Sequence, residues 1–119
     1  MAILNIEETA AEGNYAQLAL SGEIDLDTVG SLKECLTGLQ ERGIERLVID
    51  MTETRYVNSS ALAVLVKFAE RFRERGGGIG LVSVSSRVKL VFEMLGLLVF
   101  FKFFDSVDEA KQAFPAEAR

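Results

Sequence analysis

Apolar and polar positions along this 119-residue chain repeat with two different periods, and each change of period marks an element. Residues 2–8 and 14–20 read as strands, the second as the loosely alternating Tyr15-Ala16-Gln17-Leu18-Ala19-Leu20. Gly13-Asn14 between them is a hairpin-type turn signal, so the two strands are expected to pair antiparallel. The period then lengthens. Leu32, Cys35, Leu36 and Leu39 fall at i, i+3, i+4 and i+7, with Lys33, Glu34, Thr37, Gln40 and Glu41 opposite, which predicts a helix over 28–42. Asp27 or Thr28 can cap its start and Gly43 can end it.

Arg46-Leu47-Val48-Ile49-Asp50 is apolar on both faces, the mark of a strand inside a sheet. A second helix is expected over 59–75, with Leu62, Leu65, Phe68 and Phe72 on one face and Gly76-Gly77-Gly78 as its stop. Ile79 to Ser83 reads as another buried strand. Residues 86–95 read as a third helix with Val88, Val91, Phe92 and Leu95 in register. Leu98 to Phe104 reads as the final strand. The last helix is expected over 106–114, capped by Ser106, carrying Val107, Ala110 and Phe114, and ended by Pro115. The order β-β-α-β-α-β-α-β-α predicts a single α/β domain spanning 1–119. Its sheet should be mixed, mostly parallel, with about five strands and about four helices. Laying each strand beside the one before it, with right-handed crossovers, puts the helices on one face and leaves the other less covered.

Composition narrows the chemistry. Apolar residues make up 49%, enough for a core, and the length suits one domain. The longest uncharged apolar run, Leu95 to Phe101, is far below the roughly 20 residues of a membrane span. No basic stretch followed by an apolar one opens the chain, so no signal peptide and a cytoplasmic location are expected. Thirteen cations against eighteen anions, without a basic cluster, argue against nucleic-acid binding. The chain has no histidine, which removes the usual activated-nucleophile pairs and the usual zinc ligand set. Its one cysteine, Cys35, sits at an apolar helix position and reads as a core residue. No enzyme activity, cofactor, metal or catalytic residue is expected.

Three features invite a chemical reading. The glycines of 76–80 follow a helix and enter a strand, the reverse of a phosphate-binding loop, and read as a stop and turn. Asp25, Asp27 and Asp50 fall near predicted strand ends, the edge where open parallel sheets build sites, but a helix cap at Asp27 and a strand-end acid at Asp50 serve as well. In the last strand, Val99, Phe101 and Phe103 should face inward. Phe100 and Phe104 then share the Lys102 side, either under the last helix or exposed as a partner surface.

The join "YVNSSALAVLVKF", 56–68, carries the sharpest signal. Asn58, Ser59 and Ser60 stand where an apolar strand-like stretch gives way to a helix, and all three are cap formers. A serine hydroxyl at a helix start lies beside unpaired N–H groups and the positive end of the dipole. A phosphate added there brings about −1.5 to −2 charges, tolerable to the helix but repulsive to a docked protein. A binding switch is therefore physically permitted, alongside the plain reading of a capped helix.

The chain resembles the STAS domains, which include the bacterial anti-sigma factor antagonists. The resemblance runs over nearly the whole chain and rests on "LSGEIDLDTVGSLKECL" (20–36), "RLVIDMTETRYVNSSALAVLV" (46–66) and "SSRVKLVFEMLGL" before the last strand. It implies that Ser59 is the position phosphorylated by a partner serine kinase that doubles as anti-sigma factor. The unphosphorylated antagonist would bind that kinase, the phosphorylated form would let go, and a phosphatase would reset it. By the same match Asp25, Asn58, Ser59, Ser60 and Ala61 form the partner-binding edge; homodimerisation stays open. The sequence departs from the family motif in carrying Asn58 for aspartate, and Ala61 and Ala63 for glycines. The first change removes a negative charge beside the hydroxyl; the others favour a stiffer helix start. These departures leave a second expectation standing, a non-switching STAS subunit or scaffold that binds a transporter ATPase or a signalling assembly.

Overall fold

The computed structural model describes residues 2–113. Five strands form one sheet in the order β1-β2-β3-β4-β5, so each strand lies beside its predecessor in the chain. β1 (Leu4–Glu12) and β2 (Tyr15–Ile24) pair antiparallel through the Gly13-Asn14 turn, with Gly13 at φ +60°. β3 (Arg46–Val57), β4 (Gly78–Val82) and β5 (Lys102–Phe104) then join in parallel register. The crossovers are α1 (Val29–Glu41), α2 (Ser59–Glu74) and α3 (Ser86–Met94), and α4 (Val107–Ala113) follows the last strand. The predicted α/β class, mixed sheet and element count hold.

Alternation in the central strands divides the interior into two layers. Leu18 and Leu20 of β2, Leu47 and Ile49 of β3 and Leu81 of β4 face α1, α2 and α3, which add Leu32, Leu36, Leu62, Phe68, Phe72 and Phe92. Tyr15, Val48 and Val82 face the other way, against Ala110 of α4. The expectation that all helices share one face is therefore corrected. α4 follows an edge strand with no further strand to reach, and burying Val48 and Val82 draws it to the opposite face. Among the described residues, α4 covers that face over β3 to β5, with Tyr15 of β2 packed into the same layer.

Three further expectations change. β3 does not end at Asp50: it runs to Val57, because β2 keeps pairing with it out to Ile24 opposite Val57 while β4 stops at Val82 opposite Asp50. Asp50 is thus a mid-strand residue, not a strand-end acid. The stretch 98–104 is not one strand: Leu98–Phe100 is a turn of 3-10 helix and only Lys102–Phe104 pairs with β4. That break turns Val99 outward, 76% exposed, and Phe100 inward against the main core, the reverse of the predicted alternation. Phe101 and Phe103 do face the core, edge-on to Phe92 at 5.3 and 5.6 Å between centroids. Phe104 packs against the α4 layer, so both open aromatics are covered. Leu95 caps the end of α3 and is half exposed, not in the core. Phe114 and Pro115, expected at the end of the last helix, lie outside the described residues.

Candidate functional site at the carboxyl edge of β2 and β3

Ile24 and Val57 are partners at the ends of β2 and β3, so the residues that follow, Asp25 and Asn58, leave the sheet side by side. The Asn58 N–H donates to the Ile24 carbonyl at 2.8 Å, which pins the start of α2 to the end of β2. Asn58 is extended (φ −79°, ψ 145°), and its side-chain Oδ1 accepts from the N–H groups of Ser60 at 2.7 Å and Ala61 at 3.2 Å. Its backbone carbonyl takes the N–H of Leu62 at 2.9 Å, the first bond of the helix. The cap foreseen for the Asn58-Ser59-Ser60 group is thus supplied by Asn58, leaving both serine side chains out of that role.

Ser59 and Ser60 are exposed, and among the described residues the Ser59 hydroxyl makes no hydrogen bond. It projects at the first turn of a 16-residue helix with no acidic residue in that turn and Arg71 and Arg73 in the last. Ala61 is fully buried against the core. Of the five residues expected at this edge, Ala61 alone keeps its side chain from the surface. A glycine would leave a gap under the cap, and alanine fills it.

Asp25 organises the neighbouring loop. Its Oδ1 accepts from the N–H groups of Asp27 at 2.9 Å and Thr28 at 3.2 Å. Thr28 is buried; its hydroxyl donates to the Glu23 carbonyl at 2.8 Å and accepts from the Asp25 N–H at 3.0 Å. Asp27, expected as a helix cap, is exposed and caps nothing; Thr28 stands at the cap position of α1 without a side-chain cap bond. The turn folds back because Asp25 gathers its N–H groups, leaving Leu26 pointing out, 69% exposed. Tyr56, half exposed, stands two residues before the cap. Sequence reasoning did not single out Leu26 or Tyr56. An apolar residue set between two aspartates was the available signal.

Asp50 lies apart, opposite Ala19 in the register, six residues before Asp25. It accepts from the Thr52 N–H at 3.0 Å and borders a shallow depression of about 200 Å³ on the uncovered sheet face. The three aspartates therefore make no common site. No group of His, Cys, Asp and Glu among the described residues is arranged to hold a metal ion. No helix among them is long and apolar enough to cross a membrane.

The edge thus offers an exposed hydroxyl on a positively polarised helix start, a braced acidic loop and two exposed apolar side chains. Among the described residues, no pocket is lined by Asp25, Asn58, Ser59 or Ser60. Comparison with known proteins identifies the family. The STAS domain family matches residues 6–110. The anti-sigma-B factor antagonist of Staphylococcus aureus (strain NCTC 8325 / PS 47) is 29% identical over 94 residues, 79% of this chain and 86% of that one. An anti-sigma factor antagonist from Mycobacterium paratuberculosis has the same fold, with a TM-score of 0.82 and 22% identity, covering 94% of each chain. So has SpoIIAA in its unphosphorylated form, with a TM-score of 0.79 and 15% identity over 92% of this chain and 96% of that one.

Proposed function

The chain belongs to the STAS domain family, and from that premise we propose that it is an anti-sigma factor antagonist switched at Ser59. Its unphosphorylated edge, built from Asp25, Asn58, Ser59 and Ser60 with Leu26 and Tyr56 beside them, docks a serine kinase that also acts as anti-sigma factor. Capture of that protein frees a sigma factor. Phosphorylation of Ser59 sets about −1.5 to −2 charges at the centre of the docked surface, and the partner leaves. A phosphatase reverses the step.

The observation that carries this reading is the exposed Ser59 hydroxyl one residue past the Asn58 cap. The cap is complete without it, so modification leaves the fold intact, and the helix dipole offsets part of the new charge. A serine kinase of the anti-sigma factor type from the same organism, incubated with the protein and ATP, is expected to add one phosphate, absent in Ser59→Ala. The unmodified protein is expected to co-elute with the kinase and the phosphorylated one to elute alone. Neither phosphate nor complex would end the proposal.

A second reading is favoured by Asn58 itself. With an amide in place of the family's aspartate, the edge also suits a constitutive subunit of a transporter ATPase or signalling assembly. Ser59→Asp separates the two: it weakens binding many-fold if the surface is a switch, and barely changes it if the subunit is constitutive.

A further inference from the structure

Because sheet order follows chain order, position along the sequence is position across the molecule, and charge is divided accordingly. Up to Thr54 the chain carries eleven carboxylates and three cations; from Arg55 to Lys102 it carries eight cations and three carboxylates. The basic part comprises α2, β4, α3 and the start of β5. The same part holds four large exposed apolar residues: Leu90 and Met94 one turn apart on α3, then Leu95, then Val99 on the 3-10 turn. Met94 and Val99 are each 76% exposed. The other large exposed apolar residues, Ile3, Leu26 and Tyr56, belong to the carboxyl edge of β2 and β3, where the Ile3 carbonyl accepts from the Glu23 N–H and Glu23 pairs with Tyr56.

Cations stand directly beside this group. Arg73 and Lys102 line, with Val99 and Phe100, a shallow notch of about 70 Å³, and the Arg73 guanidinium lies 5.7 Å from the Phe100 ring centre. Arg71 and Arg75 lie on the last turn and cap of α2. The surface therefore pairs exposed aliphatic side chains with cations.

We propose that this end of the molecule, Leu90, Met94, Leu95 and Val99 with Arg73 and Arg75, docks on an anionic lipid surface. Aliphatic knobs enter the boundary between headgroups and acyl chains while guanidinium groups reach the phosphates. Charge complementarity selects this occupant. A second copy docked through the same patch would set its cations against their equivalents. A protein partner usually supplies and finds aromatic anchors in pockets, whereas these exposed side chains are all aliphatic. The three carboxylates of this part, Glu70, Glu74 and Glu93, are outnumbered by its eight cations. α2, 16 residues long, puts roughly 24 Å between this end and Ser59, so the docking edge faces away from the lipid. The proposal does not rest on phosphorylation of Ser59.

Sedimentation with vesicles tests it. The protein is expected to pellet with phosphatidylcholine vesicles containing phosphatidylglycerol, and not with pure phosphatidylcholine. Arg73→Ala is expected to lower the partition coefficient about fivefold, as for one cation near a charged surface. Met94→Glu with Val99→Glu is expected to abolish binding, Ser59→Ala to leave it unchanged, and raised salt to weaken it. Both knobs are exposed, and circular dichroism checks that the double variant folds. Failure to pellet with anionic vesicles overturns the proposal, as does binding that survives the double substitution in a folded protein. If the wild type ignores the vesicles but binds soluble polyglutamate through Arg73, the surface serves an acidic protein and the lipid reading is wrong.

Discussion

The Asn58 N–H donates to the Ile24 carbonyl at 2.8 Å, joining the first residue of one loop to the last residue of the neighbouring strand. Through that bond the serine-bearing helix start and the Asp25 loop become one rigid edge. Neither loop alone would hold Ser59 in fixed relation to Leu26 and the aspartates. Asn58 faces two ways, its N–H toward the sheet and its side chain toward the helix.

Asn58→Ala is expected to cost about 1 kcal/mol, because the N–H groups of Ser60 and Ala61 lose their acceptor. Asn58→Asp keeps both bonds and adds a charge favoured by the helix dipole, so it should be at least as stable as the wild type. Urea unfolding of the three proteins checks the order. An alanine variant as stable as the asparagine protein would show that the cap does not hold the edge.

Ser59 substitutions should separate function from stability. Ser59→Ala and Ser59→Asp are each expected within about 0.5 kcal/mol of the wild type, since the side chain is exposed and unbonded among the described residues. Thermal melts provide the measurement. Marked destabilisation of either variant would mean that the hydroxyl serves the fold.

Two glycines in ordered elements should respond in opposite directions. At Gly22, φ is +116° and an added Cβ would lie 2.1 Å from the Ile3 carbonyl oxygen, so Gly22→Ala should destabilise by about 3 kcal/mol through strain and overpacking. Gly38 lies inside α1 with open space around it, so Gly38→Ala should stabilise by about 0.5–1 kcal/mol. Chemical denaturation midpoints decide; equal effects would refute the assignment of either backbone.

Burial pushes the Cys35 thiol above its ordinary value, with the Glu8 carboxylate adding to the shift. At neutral pH the thiolate is therefore scarcer than in the unfolded chain. A thiol reagent should label the native protein slowly, faster only as pH rises past the ordinary thiol range, and label the denatured protein at once. The same sign means that the thiol's contribution to stability is present at neutral pH and fades as pH rises through the folded value. Equal labelling rates in the native and denatured proteins at neutral pH would refute this.

Much of the architecture was legible in local pattern. Leu32, Leu36 and Leu39 mark α1 and all three are buried; Leu62, Leu65, Phe68 and Phe72 do the same for α2. Leu47-Val48-Ile49 announced a strand covered on both sides, and it lies third of five in the sheet. The cap group at 58–60 was legible too, because cap chemistry involves residues only two or three apart.

What the sequence could not decide was everything set by a neighbour distant in the chain. Thr52 to Val57 are strand because β2 supplies the hydrogen bonds, not because their polar pattern demands it. Val99 faces out and Phe100 in because the chain must turn onto the edge of β4, and that turn breaks the period-two count. α4 lies on the face opposite the other helices because that is where Val48 and Val82 remained uncovered. Composition and periodicity fix which groups must be buried or capped. Only packing fixes which partner does it, because that choice depends on contacts whose energies no local stretch contains.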